Sequence, residues 1–277
     1  MEEKVKPIYE KRFALPINES AKNRLNDFRV AVKEYQKEHP EILGATIYGS
    51  MIKGNQAKET SDIDSFLYID ADNIPKENKD PNEKLQNPYS PAFKYRSELL
   101  NSLNISQKDE ENFYEDLKPI ILNSEIIDKN INNCIKFEIE NNNYKKMLNE
   151  KYNNEMSEEE KYKLLSQEPV MDKMDFSPEI AGMFHVQIGK GVDKYRHLFL
   201  EKLNALPDKK IAESIWEEVH FTLNTFEKRK DTEKKIKIPS TFDEALKIYH
   251  PDLYKNINKK KEAEKINKLK IQITNSY

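Results

Sequence analysis

The stretch that decides the fold is residues 42–69, which read ILGATIYGSMIKGNQAKETSDIDSFLYI. Its opening residues are apolar and rich in β-branched side chains, which is typical of a buried strand. Gly49-Ser50 interrupts this run, since glycine and serine favour turns. We predict three elements here: a strand over 42–48, a short helix near 51–58 and a second strand over 62–69.

The second predicted strand carries two carboxylates, Asp62 and Asp64, at a spacing of two residues. Successive side chains of a strand alternate between its faces, so both carboxylates share one face, about 6.5–7 Å apart along the backbone. Ile63, Leu67 and Ile69 share the other face. Mg²⁺ prefers carboxylate oxygens, and two divalent ions can stabilise the attacking and leaving oxygens of a transfer at phosphorus. The pair is therefore a candidate site for Mg²⁺ or Mn²⁺.

The Gly49-Ser50 turn follows the first predicted strand directly. Glycine at such a position lets backbone N–H groups approach a triphosphate without a side chain in the way. Ser50 adds a hydroxyl donor, and Lys53 is long enough to reach a phosphate oxygen. Gly49, Ser50 and Lys53 are therefore candidate nucleotide-binding residues. Taken alone, a Gly-Ser turn is more often structural, and Lys53 is equally well explained as an ordinary surface lysine.

Ile47-Tyr48-Gly49-Ser50, followed after eleven residues by Asp62-Ile63-Asp64, resembles the signature of the polymerase β-type nucleotidyltransferase superfamily. The fuller run from Gly49 to Gly54, with Ser61 before the acidic pair, is similar to the minimal bacterial and archaeal members. Those commonly have Arg where Lys53 stands. The resemblance covers about residues 25–70 well and 135–140 in part.

The resemblance implies an enzyme that transfers an NMP group from an NTP to an acceptor with Mg²⁺ or Mn²⁺. Asp62 and Asp64 would hold the metal, and Gly49 and Ser50 the triphosphate. The acceptor stays open among a small molecule, an RNA end and a protein hydroxyl. The alternative is a non-catalytic nucleotide or RNA sensor on the same fold, which need not keep a complete set of carboxylates.

Members of this superfamily carry a third carboxylate on a later strand beside the Asp-x-Asp strand, as a general base or further metal ligand. Residues 135–140 alternate strictly between apolar and charged side chains, which predicts a half-buried strand. Glu138 lies centrally in it and is the predicted third carboxylate. Asp128 and Glu140 are the alternatives: each stands beside a polar turn-like run.

The rest of the chain predicts mainly helices. Leu25, Phe28, Val32 and Tyr35 recur at helical spacing, which predicts a helix over 19–38. Further helices are predicted near 92–103 and 109–118, from Ser177-Pro178-Glu179 onward, twice within 179–205 with a junction near Gly189 and Gly191, over 211–228, and over 241–249. Residues 71–91 are predicted to be a loop.

The predicted fold class is α/β (α+β), with a small mixed sheet in a nucleotidyltransferase lobe followed by a helical C-terminal lobe. The predicted domains are a nucleotidyltransferase domain over 1–143, a helical domain over 144–254 and a lysine-rich tail over 255–277. His185 and His197 match no common metal-ligand spacing. Trp216 is interpreted as a core residue.

The composition of the chain limits the classes of partner. The 46 basic and 49 acidic residues give a net charge of −3, so no global field attracts a polyanion. Residues 255–270 carry a local excess of five positive charges, which suits RNA but is commoner in a solvated helix. The single Cys134 excludes an intrachain disulfide and fits a reducing compartment. With no apolar signal or membrane-spanning segment, we expect a cytoplasmic location.

Overall fold

The computed structural model of the chain describes residues 15–75, 90–103, 105–152, 156–169, 178–189, 191–226 and 238–274. Four strands form its sheet: β1 Ile42–Ile47, β2 Ser65–Asp70, β3 Leu117–Leu122 and β4 Val186–Ile188. The helices are α1 Glu19–Glu38, α2 Ser90–Ser102, α3 Gln107–Phe113, α4 Ser124–Lys151, α5 Glu158–Leu165, α6 Pro178–Gly182, α7 Val192–Ala205, α8 Lys209–Phe226, α9 Phe242–Tyr249 and α10 Pro251–Thr274. The predicted mixed α/β fold class is confirmed.

The sheet is mixed and has the strand order β3-β2-β1-β4. β1 pairs antiparallel with both β2 and β4, whereas β2 and β3 run parallel. Ser65, the first residue of β2, lies opposite Ile47 of β1 and Leu117 of β3. The C-terminal end of β1 and the N-terminal ends of β2 and β3 therefore lie side by side at one end of the strands. The candidate site lies at this end of the sheet.

The sheet separates two hydrophobic cores. On one face α1 and α2 pack against the sheet through side chains such as Leu25, Phe28 and Leu67. On the other face, Phe66 and Tyr68 join a core built from α4 and α6 to α9. Full burial of an apolar side chain of this size contributes about 1.5–3 kcal/mol. Helices α4 and α6 to α9 thus share a core with the sheet and pack against the face opposite α1 and α2.

The helices predicted from strong apolar periodicity are confirmed. α1 begins and ends as predicted and buries Leu25, Phe28, Val32 and Tyr35. α8 and α9 match the predicted 211–228 and 241–249 closely, and α6 begins at Pro178. These segments carry the information for their conformation locally, in the spacing of their apolar residues and in capping residues such as Asn18 before α1.

The strand predicted over 135–140 is wrong, because these residues lie inside the long helix α4. Asn123 caps this helix by accepting a hydrogen bond from the Ile126 N–H at 2.8 Å. Ile127, Ile131 and Cys134 are buried at spacings of four and three, which is the helical period. None of residues 135–140 is fully buried. Their alternation of apolar and charged side chains therefore does not correspond to a buried and an exposed face, and it did not determine the secondary structure.

Other differences concern short elements. Residues 117–122 form β3, where we predicted the end of a helix and no strand. β4 lies between the two helices predicted within 179–205, and the predicted helix near 51–58 is a pair of 3₁₀ turns, Gly49–Ile52 and Gly54–Gln56. Most of the predicted loop 71–91 lies outside the described residues.

The predicted domain boundary between residues 143 and 144 falls inside α4, and β4, from the predicted helical domain, joins the sheet. The division into domains stays a prediction. Among the described residues, no helix combines the length and the apolar character needed to cross a membrane.

Candidate metal and nucleotide site

Three partly buried carboxylates converge at the end of the sheet where β2 and β3 begin. They belong to Asp62, Asp64 and Asp116, and one carboxylate oxygen from each lies within 4.8 Å of the others. Groups this close repel one another unless protons or cations neutralise them. The donor set consists only of oxygen, which suits a hard divalent cation such as Mg²⁺ or Mn²⁺. The residues present therefore fit the predicted metal.

The backbone hydrogen bonds of the sheet bring these carboxylates together. The Tyr48 N–H donates to the Asp64 carbonyl at 3.0 Å, and the Ser65 N–H donates to the Asp116 carbonyl at 3.3 Å. Asp64 and Asp116 therefore occupy equivalent positions, each immediately before the first residue of its parallel strand. Asp62 lies two residues earlier and completes the cluster.

The Gly49 turn contacts Asp64 directly. Gly49 has φ +71°, in the left-handed region that favours glycine. A Cβ added to Gly49 would lie only 1.7 Å from Asp64 Oδ2. Only a residue without a side chain therefore allows this backbone and this carboxylate to occupy their observed positions. The Gly-Ser turn and the Asp-x-Asp pair form one structural unit.

The electrostatics of the cluster act on the carboxyl of Asp64. The pKa of the Asp64 carboxyl is raised from 3.8 to about 7, chiefly by burial and also by the negative charges of Asp62 and Asp116. The positive charges of Lys53 and Lys118 act in the opposite direction. A bound divalent cation would favour the ionised form, since it supplies the positive charge that the site lacks.

Two lysines flank the carboxylates. Lys53, one of the predicted nucleotide-binding residues, joins the two 3₁₀ turns and is only 9% exposed. Lys118 is largely exposed, and its Nζ lies 3.5 Å from Asp116 Oδ1. Ser50 is partly exposed in the turn that follows Gly49. The site thus places three carboxylates that could hold a metal ion beside two lysines whose positive charge could interact with a phosphate chain.

Glu138 is not the third carboxylate at this site. It lies on α4, and its Oε1 accepts a hydrogen bond from the Ser214 hydroxyl of α8 at 2.5 Å. The two alternatives also lie on α4. Asp128 pairs with Lys202 at 2.6 Å, and Glu140 pairs with Lys136 at 3.9 Å. Glu138 and Glu140 lie in the segment predicted to be a strand, and Asp128 lies beside the predicted turn-like run, whereas all three positions are helical.

Asp116 escaped the sequence prediction, although two signals for it were present. Pro119 lacks the N–H that a helix interior requires, which disfavours helix through 117–122 and is compatible with a strand at the edge of a sheet. Ile120, Ile121 and Leu122 then form a short apolar run. An acidic residue just before such a run repeats the arrangement of Asp64 before Ser65–Asp70.

The remaining residues singled out in the sequence have structural environments. Trp216 is fully buried, and its indole N–H donates to the Pro239 carbonyl at 2.9 Å. His185 is fully buried, and His197 stacks on His250 with ring centroids 4.1 Å apart. Neither His185 nor His197 belongs to a group of three or more metal-binding side chains in the described part of the chain.

Comparisons of the chain with protein-family models, with curated proteins and with solved structures found no match. The resemblance of residues 47–64 to the polymerase β-type superfamily therefore stays a prediction. In the structure, the Gly49 turn, the acidic pair and a third carboxylate lie close together at one end of the sheet.

We expect Mg²⁺ to stabilise the protein more at about pH 8 than at about pH 5.5. The pKa of folded Asp64, about 7, exceeds its ordinary value of 3.8, so the folded state binds the proton more tightly than the unfolded state. The metal-free protein therefore has this stabilising contribution below about pH 4 and loses it as the pH rises through about 7. Mg²⁺ offsets the loss at high pH but must displace a proton at low pH.

Thermal unfolding with and without Mg²⁺ at both pH values measures this effect. At a free Mg²⁺ concentration about a hundred times its Kd, binding contributes about 2.7 kcal/mol. Asp64→Asn serves as the control and should abolish most of the Mg²⁺ effect. An equal Mg²⁺ effect at both pH values, or an undiminished effect in Asp64→Asn, would show that the cation acts elsewhere.

Proposed function

We propose that the protein is a metal-dependent nucleotidyltransferase that transfers an NMP group from an NTP to an acceptor. One observation carries the proposal: Asp116, immediately before the strand that runs parallel to β2, completes a set of three carboxylates with Asp62 and Asp64. A sensor that has lost turnover need not keep this set. The complete set therefore supports the catalytic interpretation over the non-catalytic one.

We assign the roles from the geometry and the resemblance together. Asp62, Asp64 and Asp116 would hold Mg²⁺ or Mn²⁺, which would stabilise the charge that develops on the attacking and leaving oxygens. The N–H groups of the Gly49-Ser50 turn bind the triphosphate, with Lys53 and Lys118 contributing positive charge. An acceptor oxygen attacks the α-phosphorus, pyrophosphate leaves, and a carboxylate oxygen of the cluster takes the acceptor proton. Asp116 fits this last role by its resemblance to the third carboxylate of the superfamily.

The labelling experiment that tests the function also identifies the acceptor. Purified protein is incubated with each α-³²P-labelled NTP, with Mg²⁺ or Mn²⁺, and with cell extract. We expect label to move into one class of acceptor, whether RNA, protein or a small molecule, and we expect Asp64→Asn to prevent it. If NTP binds without transfer to any acceptor, and Asp64→Asn does not weaken that binding, the sensor becomes the better interpretation.

Two further parts of the prediction concern location and partners. A cytoplasmic location is supported by Cys134, which is buried and has a free thiol, as expected in a reducing compartment. The lysine-rich tail forms most of α10, which packs against the core through Leu253, Tyr254 and Ile257. Lys259, Lys260 and Lys261 are exposed, which fits an ordinary solvated helix and leaves RNA contact by residues 255–270 as the less favoured alternative.

A further inference from the structure

Arg24 of α1 binds the backbone of the loop that leads to the acidic pair. Its Nη1 donates to the Ser61 carbonyl at 2.5 Å, and its Nη2 donates to the Glu59 carbonyl at 2.6 Å. Asp62 follows Ser61 directly. The planar guanidinium group suits such a two-point contact, because its N–H groups project in a fixed fork. Arg24 therefore fixes the loop next to a metal-binding candidate without itself touching the carboxylate cluster.

The same guanidinium group also contacts the segment that leads to the third carboxylate. Arg24 Cζ lies 3.8 Å from the centroid of the Phe113 ring, at the end of α3. The Phe113 carbonyl accepts a hydrogen bond from the Ile63 N–H at 2.8 Å. Asp116 follows three residues after Phe113. One side chain thus contacts both chain segments whose carboxylates must converge.

We propose that Arg24 is a positioning residue for the carboxylate cluster. The backbone of Arg24 is held in place, because the neighbouring Leu25 and Phe28 anchor α1 in the core against the sheet. The Arg24 side chain in turn fixes the position of the loop before Asp62 relative to the end of α3, so that the carboxylates are placed before a cation binds. This inference rests on the proposed function insofar as it takes the cluster to be a metal site.

The sign of the effect on cation binding separates positioning from simple electrostatics. Arg24 carries a positive charge close enough to Asp62 for the two charges to interact. By electrostatics alone, removing a positive charge beside a cation site strengthens cation binding. Loss of positioning weakens it instead. Arg24→Lys retains the charge but lacks the fork, and Arg24→Gln removes the charge as well.

The experiment measures the affinity of the full chain for Mn²⁺ alone, by the electron paramagnetic resonance signal of the free ion. We expect both Arg24→Lys and Arg24→Gln to bind Mn²⁺ about 10- to 100-fold more weakly, as is typical when residues that orient metal ligands are replaced. Arg29→Gln, on the same helix, is the matched control and should retain the affinity of the unaltered protein. Circular dichroism checks that each variant is folded.

The outcomes distinguish this inference from the proposed function. If the unaltered protein binds Mn²⁺ and Asp64→Asn does not, the metal site stands. Affinity of the Arg24 variants equal to or tighter than that of the unaltered protein then overturns the positioning role, as does a lower melting temperature without a change in affinity. If Arg24→Gln fails to fold, Arg24→Lys decides. Undiminished binding by Asp64→Asn would overturn the metal site itself.

Discussion

Asp116→Asn is expected to lower nucleotidyl transfer by about 10³-fold or more, whereas Glu138→Gln is expected to leave it unchanged. A carboxylate oxygen of Asp116 lies within 4.8 Å of one from Asp62 and one from Asp64, which is close enough for the three to share a cation. Stabilisation of transition-state charge by metal ions is worth several kcal/mol, and about 4 kcal/mol corresponds to 10³ in rate. Glu138 instead accepts a hydrogen bond from Ser214 between two helices.

The two variants are matched, because each replaces a carboxylate with the amide of the same shape. The amide oxygen of Glu138→Gln can still accept the Ser214 hydrogen bond, so the fold is preserved. Transfer is measured with labelled NTP in the presence of Mn²⁺ or Mg²⁺, and the melting temperature of each variant is compared. Loss of transfer in Glu138→Gln, or full transfer in Asp116→Asn, would show that the third carboxylate has been assigned to the wrong residue.

Gly49→Ala is expected to destabilise the protein by about 2–4 kcal/mol and to abolish Mn²⁺ binding. The left-handed backbone at Gly49 costs a residue with a side chain about 1–2 kcal/mol. The new Cβ would also lie 1.7 Å from Asp64 Oδ2, so the carboxylate must leave its place in the cluster. Urea unfolding gives the stability, and the free-ion signal of Mn²⁺ gives the binding.

A double variant separates the two causes. In an Asp64→Ala background the carboxylate that would clash with the new Cβ is absent, whereas the backbone strain remains. The cost of Gly49→Ala should therefore be smaller there, by about 0.5–3 kcal/mol, which is the range for residues in direct contact. An equal cost in both backgrounds would mean that backbone strain alone destabilises Gly49→Ala and that the contact with Asp64 contributes nothing.

The elements that the sequence predicts well are those whose information is local. The helical period of α1 is visible in its own residues, and β1 and β2 are apolar runs bounded by turn residues. β2 begins at Ser65 and not at the predicted residue 62, so Asp62 and Asp64 lie before the strand and not on one of its faces. That Gly49 and Asp64 lie close together is also what the resemblance of the two motifs to the superfamily signature implies, although that resemblance stays a prediction. The acidic pair and the glycine turn were therefore found together.

The third carboxylate could not be found in the same way, because its element depends on distant partners. β3 is a strand only because its backbone pairs with β2, and its sequence contains Pro119, which an edge strand tolerates. Conversely, residues 135–140 show strand-like alternation but continue a helix whose buried face is set earlier, at Ile127 and Ile131. Tertiary packing overrode the local pattern at both places.

The most direct test of the metal site is X-ray diffraction from crystals grown with Mn²⁺ and a non-hydrolysable NTP analogue, recorded near the manganese absorption edge. The proposed function predicts an anomalous peak among the carboxylates of Asp62, Asp64 and Asp116, with the triphosphate against the Gly49-Ser50 turn. A nucleotide bound elsewhere, or bound at the turn with no manganese peak at these three carboxylates, would contradict it.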